Sequence, residues 1–145
     1  MTNDTLRINT KLKIDLSDYS IDVSITDFRL TLFRIWDNET NVVKTYSIGL
    51  GRPAYIPKGN FTIKFKLKDP VWYKPNSKPI PFGTKENILG TRWLSIDAPG
   101  YGIHGTWEPE TIGTSTIIGC IRMHNEDIEE LYDIIKNGTP ITIHD

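Results

Sequence analysis

The sequence predicts a mainly β, single-domain protein with one longer helix near its C-terminus. Three observations carry this. Short segments repeatedly alternate apolar and polar residues with period two, turn-forming residues separate them, and one stretch only, beginning at Asn125, spaces its apolar residues for a helical face. At 145 residues and 38% hydrophobic composition, the chain has the size and apolar content of one domain, 1–145, with its own core. No repeat, low-complexity tract or linker divides it.

Residues 11–16, 21–25 and 29–36 alternate and read as three strands. The polar run at 37–41 separates the third from a further strand at 42–48, forming a hairpin that ends at Gly49-Leu50-Gly51. Pro57-Lys58-Gly59 is a turn, and after it Phe61, Ile63, Phe65 and Leu67 alternate strictly with Thr62, Lys64 and Lys66. Residues 69–90 carry Pro70, Pro75, Pro79 and Pro81, which excludes a regular central element and reads as a long, functional lid. Strands follow at 91–97, with Leu94 and Ile96 on one face, and at 101–104. Asn125 reads as a helix N-cap, Ile128, Leu131, Tyr132, Ile134 and Ile135 as its buried face, and Asn137-Gly138 as its stop, before a last strand at 141–143.

Composition narrows the function. Seventeen basic against eighteen acidic side chains leave a formal charge of -1, with no positive field to hold nucleic acid or anionic lipid. No run approaches the roughly 20 apolar residues of a membrane span, and the polar start lacks the apolar core of a signal peptide. Cys120 is the only cysteine, so it forms no internal disulfide and makes a poor zinc site. It is either a small buried hydrophobe or a reactive thiol.

The surroundings of Cys120 favour chemistry. A nucleophilic thiol needs an imidazole, backbone donors for an oxyanion and partial exposure. Gly119 permits close backbone approach, and Arg122 adds positive potential expected to favour the thiolate. Tyr101-Gly102-Ile103-His104-Gly105-Thr106 precedes Gly119-Cys120-Ile121-Arg122-Met123-His124-Asn125 by a short interval. With Ile56-Pro57-Lys58-Gly59, Pro70-Val71-Trp72-Tyr73 and Leu89-Gly90-Thr91-Arg92-Trp93-Leu94, this pattern resembles the YkuD-type L,D-transpeptidase domain over about residues 21–143.

The resemblance implies a YkuD-like β-sandwich in which Cys120 is the nucleophile and His104 the base, with the Gly105 carbonyl orienting the imidazole. It places the oxyanion donors on the amides of Gly119 and Cys120. Arg122 matches the family's arginine, which either pairs with a substrate carboxylate or fixes the loop. Tyr101, Trp72 and Tyr73 are the other candidate substrate contacts, with core packing as the alternative for the two loop aromatics. One departure stands out: family members usually carry serine or threonine three residues before the cysteine and often histidine two before, where this chain has Ile117 and Ile118. Ser115 and Thr116 are close enough to substitute.

The implied reaction attacks a peptidoglycan stem peptide at the carbonyl of its L-centre diamino acid, expels the terminal D-residue and passes the acyl group to a second stem, giving a 3-3 cross-link. Water as acceptor would make an L,D-carboxypeptidase, and a catalytically silent wall-binding module is the alternative from another class. No metal or organic cofactor is called for, the chain is expected to act as a monomer, and the substrate implies the cell envelope. His124 reads as a helix-entry residue, His144 as a solvated terminal side chain, and Glu126, Asp127, Glu129 and Glu130 as a solvated face complementing the helix dipole.

Overall fold

The computed structural model describes residues 18–116 and 120–145. The strand expected at 11–16 lies outside the described residues. Among the described residues there are eight strands: β1 (Asp18–Ser24), β2 (Arg29–Trp36), β3 (Glu39–Leu50), β4 (Gly59–Lys68), β5 (Arg92–Ile96), β6 (Gly102–His104), β7 (Ile121–Met123) and β8 (Pro140–His144). One helix, α1 (Asn125–Ile134), lies between β7 and β8.

The mainly β expectation holds, and the expected β-sandwich takes the form of a closed circuit of hydrogen-bonded strands, β1-β2-β3-β7-β6-β5-β4-β8 and back to β1. The cause is the length of two strands. β3 pairs with β2 along Glu39–Ser47 and then with β7 over Ile48–Leu50, while β4 pairs first with β8 and then with β5. Each long strand thus belongs to both halves, which removes the free edges an open sandwich would leave.

Period two places Val23, Leu30, Leu32, Ile48, Leu94, Ile103, Ile121, Met123, Ile141 and Ile143 inside this circuit, where all are buried. Ile128 and Leu131 of α1 join the same core. The β2–β3 turn is tighter than its polar composition suggests. Asp37 and Asn38 both adopt left-handed φ, 53° and 64°, as a two-residue turn requires, so β3 begins at Glu39 rather than Val42.

One irregularity in β4 shapes the site. Ile63 pairs with Ile96 and Phe65 with Ser95, so Lys64 is an extra residue, a β-bulge. The alternation read from the sequence is therefore real but changes face at Lys64. Ile63 is buried in the core, whereas Phe65 and Leu67 are 39% and 40% exposed on the outer face. Lys66, on the other side, donates from Nζ to the carbonyls of Tyr132 and Ile135 at 2.8 and 3.0 Å. The helix ends at Ile134, three residues before the expected Asn137, and Lys66 satisfies carbonyls at that end.

Candidate active site

The motif residues come together because β6 and β7 are parallel neighbours, with His104 opposite Arg122 and Ile103 opposite Ile121. β7 was not expected from the sequence, since a three-residue strand carries too little alternation to show. It matters because Cys120 immediately precedes it. Trp93 of β5 lies opposite His104 and stacks on its ring, 6.0 Å between centroids and 28° between planes. Ser95 lies opposite Gly102, where a side chain would collide with the Leu94 carbonyl and the Trp93 indole.

Cys120 and His104 line one groove of about 530 Å³. Phe65 and Leu67 form one of its sides through the β4 bulge, and Trp72, Tyr73 and Leu89 of the proline-rich loop line it as well. Trp72 and Tyr73 are therefore groove residues rather than a satellite core, and Tyr73 is 73% exposed. The loop itself is held by mutual backbone bonds between Trp72 and Ile80, 2.9 Å each, and by Asn87. Asn87 is buried, donates to the carbonyls of Pro70 and Ile80 at 3.0 Å and accepts from the Leu89 amide. Sequence reasoning missed Asn87; its only signal was an amide able to bridge backbone groups in a segment without a ladder.

His104 is buried, and its Nδ1 lies 2.7 Å from the Gly105 carbonyl oxygen. A carbonyl only accepts, so Nδ1 carries the proton and, in the neutral ring, Nε2 carries the lone pair. Nε2 is buried and meets no hydrogen-bond partner among the described residues. Burial, aided by the nearby Arg122 charge, pushes the His104 pKa down to about 4 against the opposing pull of the Gly105 carbonyl.

Cys120 is half-buried, with its sulfur 3.9 Å from the Gly100 carbonyl oxygen. Burial raises its thiol pKa, opposed by the Gly102 backbone. The expectation that Arg122 would favour the thiolate is thus corrected: at neutral pH Cys120 and His104 both rest uncharged.

Arg122 keeps a charge that reaches His104, but its donors are committed elsewhere. All five of its N–H groups meet protein acceptors: Thr111 Oγ1, the carbonyls of Leu50, Thr111 and Thr114, and Thr116 Oγ1, at 2.8 to 3.3 Å. This is the loop-fixing arrangement, and it leaves no donor for a substrate carboxylate. Thr116, offered as a stand-in for the missing polar residues, spends its hydroxyl oxygen here. Removing the guanidinium would strip partners from three carbonyls, at about 1–3 kcal/mol for each that stays buried and unsatisfied.

Other expectations need correction. Tyr101 packs against the core and does not line the groove; its backbone bonds to Ala98 and Ile96 close the turn before β6. Asn125 is the first helical residue rather than the N-cap, a position taken by His124 without a side-chain bond. His144 is not merely solvated: its Nε2 lies 2.8 Å from Asp22 Oδ2, a hydrogen bond between β8 and β1 that raises the imidazole pKa. Glu130 likewise accepts from Lys44 and Tyr46, at 2.7 and 2.6 Å, and pins α1 to β3. Ile117, Ile118 and the oxyanion candidate Gly119 lie outside the described residues.

A histidine on one strand and a cysteine just before its parallel neighbour is an arrangement many proteins could share; sequence comparison decides which family this is. The profile of the YkuD family, described as the L,D-transpeptidase catalytic domain, matches residues 18–143. The chain belongs to the YkuD family of L,D-transpeptidase catalytic domains. It is 38% identical over 117 residues to the Bacillus subtilis protein named "Putative L,D-transpeptidase YqjB", covering 77% of this chain and 64% of that one. To the "Putative L,D-transpeptidase YkuD" of the same organism it is 39% identical over 127 residues, covering 87% and 66%. Among solved structures, the LD transpeptidase LdtMt1 in complex with imipenem superimposes with a TM-score of 0.66 at 20% identity, covering 88% of this chain and 59% of that one, a likeness of fold. This YkuD-family chain thus spans about two thirds of the length of these two relatives. Among its described residues no helix is long and apolar enough to cross a membrane.

Proposed function

We propose that this YkuD-family domain is a peptidoglycan L,D-transpeptidase working through a Cys120 thioester. The observation that carries the reading is the shared groove: the only cysteine and a histidine with its proton fixed on Nδ1 line the same cavity. In the attack step the Cys120 sulfur adds to the amide carbonyl of the third, L-centre residue of a tetrapeptide stem while His104 Nε2 takes the thiol proton. The tetrahedral intermediate collapses with cleavage of the C–N bond, and the imidazolium returns its proton to the departing amine of the terminal D-residue. A side-chain amine of a second stem then attacks the thioester, loses its proton to His104 and restores the thiol, leaving a 3-3 cross-link.

The groove suits a donor peptide, since Trp72, Trp93, Phe65 and Leu67 cover its apolar parts while the reacting carbonyl meets Cys120. A second cavity of about 620 Å³, lined by Trp107, Glu108, Lys85 and Arg122, shares Ile88 with the first. This substrate places the working enzyme in the cell envelope.

Incubation with a disaccharide-tetrapeptide tests the reading by product mass. Release of the terminal D-residue together with a dimer lacking that residue is expected. Tripeptide without dimer at millimolar acceptor would show hydrolysis instead, and no D-residue release at all would end the proposal.

A further inference from the structure

Asn125 is the first residue of α1, yet its side chain does not serve the helix. Its Oδ1 accepts two backbone N–H groups, from Thr106 at 3.1 Å and from Thr91 at 3.2 Å. Both facing groups are donors, which fixes the amide with its oxygen toward them. A Cβ on Gly105 would collide with that oxygen, so the bare residue at 105 is what lets the side chain approach. The Thr106 nitrogen and the Gly105 carbonyl belong to one planar peptide unit. The N–H side of that unit donates to Asn125, and its C=O side accepts the His104 Nδ1–H at 2.7 Å. Hydrogen bonds at the two ends of a peptide polarise one another and strengthen together.

We propose that Asn125 is a positioning residue that acts on His104 through the Gly105–Thr106 peptide, an amide relay standing where other nucleophile–imidazole pairs place an acidic side chain. The inference rests on the reading of His104 as the base. Asn125 holds the peptide plane so that its carbonyl meets Nδ1, and it makes that carbonyl a better acceptor when the ring becomes an imidazolium during attack. It also ties the start of α1, and hence the β7 segment that follows Cys120, to the β6 end that carries the base. A neutral amide achieves this without placing another charge beside a buried ring.

The groups that bear on the test are few. Arg122 of β7 is the charge facing His104, Cys120 is the titratable neighbour in the groove, and Trp93 of β5 is neutral. On the α1 side Glu129 accepts the Thr91 hydroxyl at 2.7 Å, and His124 and Asp127 flank Asn125 along the chain. None of them changes in the variants.

The experiment compares wild type with Asn125→Ala and Asn125→Asp, following the His104 imidazole by ¹⁵N NMR across pH, assigned by its loss in His104→Ala. Cys120 alkylation by iodoacetamide is followed in parallel. The aspartate is expected to raise the His104 titration midpoint and the alanine to lower it, with alkylation at neutral pH about tenfold slower in Asn125→Ala, as for one lost hydrogen bond. A merely structural role would move both midpoints toward the ordinary histidine value, or neither, and either result overturns the relay. If Asn125→Ala does not fold, the near-isosteric Asn125→Leu takes its place: a lowered midpoint is expected, and a raised or unmoved one overturns the relay. Neither readout uses peptidoglycan, so the relay and the proposed reaction fail separately.

Discussion

Cys120→Ala is expected to abolish turnover of a tetrapeptide stem while leaving the fold intact. The side chain is only half-buried and its sulfur approaches the Gly100 carbonyl no closer than 3.9 Å, so exchanging a thiol for hydrogen removes little packing. What it removes is the only thiol in the chain. Without an acyl-enzyme the remaining groups cannot divide amide exchange into two steps. Thermal denaturation with an unchanged midpoint, beside D-residue release at background level, is the expected pair of results. Wild-type turnover in the variant would remove Cys120 from the mechanism.

His104→Ala carries the second large effect. General-base assistance contributes about 10² to 10⁴ in rate, and a thiol raised above its ordinary pKa depends on that assistance more than a preformed thiolate would. His124→Ala, changing a helix-entry residue that does not line the groove, is expected to stay close to wild type. Alkaline pH should partly restore acylation in His104→Ala, because solvent then deprotonates the thiol, while protonation of the leaving amine stays impaired. In wild type the acid limb of kcat/KM should fall near pH 4, where His104 gains its proton, rather than near 6.5. The same group affects stability. Between about 4 and 6.5 the unfolded chain binds the proton that folded His104 refuses, so stability rises with pH across that window, and His104→Ala should lessen the rise. Equal damage in the two histidine variants would require a different base.

Much of this architecture was legible in the sequence because burial imposes period two on strands. Ile21, Val23, Leu30, Leu32, Leu94 and Ile96 announce their elements and are all buried. Alternation cannot reveal pairing, so the closure of the strand circuit through β3 and β4 was not readable. The bulge at Lys64 escaped for a related reason, since Phe65 and Leu67 keep the apolar alternation while serving the groove instead of the core. Cys120 and His104 were legible through their motif. The states of their protons were not, because both are set by burial, which only the fold reveals. Asn125 shows the same limit: its type and position suit a cap, and only the fold brings Thr91 and Thr106 to its oxygen.

The pairing of Cys120 with His104 as an acylating site is tested most directly by intact-mass spectrometry with peptide mapping. Wild type and Cys120→Ala are incubated with the tetrapeptide donor in the absence of acceptor and, in parallel, with imipenem, whose strained ring offers the thiol the same kind of carbonyl. The account predicts a single adduct for each reagent in wild type, located on the peptide containing Cys120, slowed in His104→Ala and missing from Cys120→Ala. An adduct that persists in Cys120→Ala, or that maps to any other residue, would contradict it.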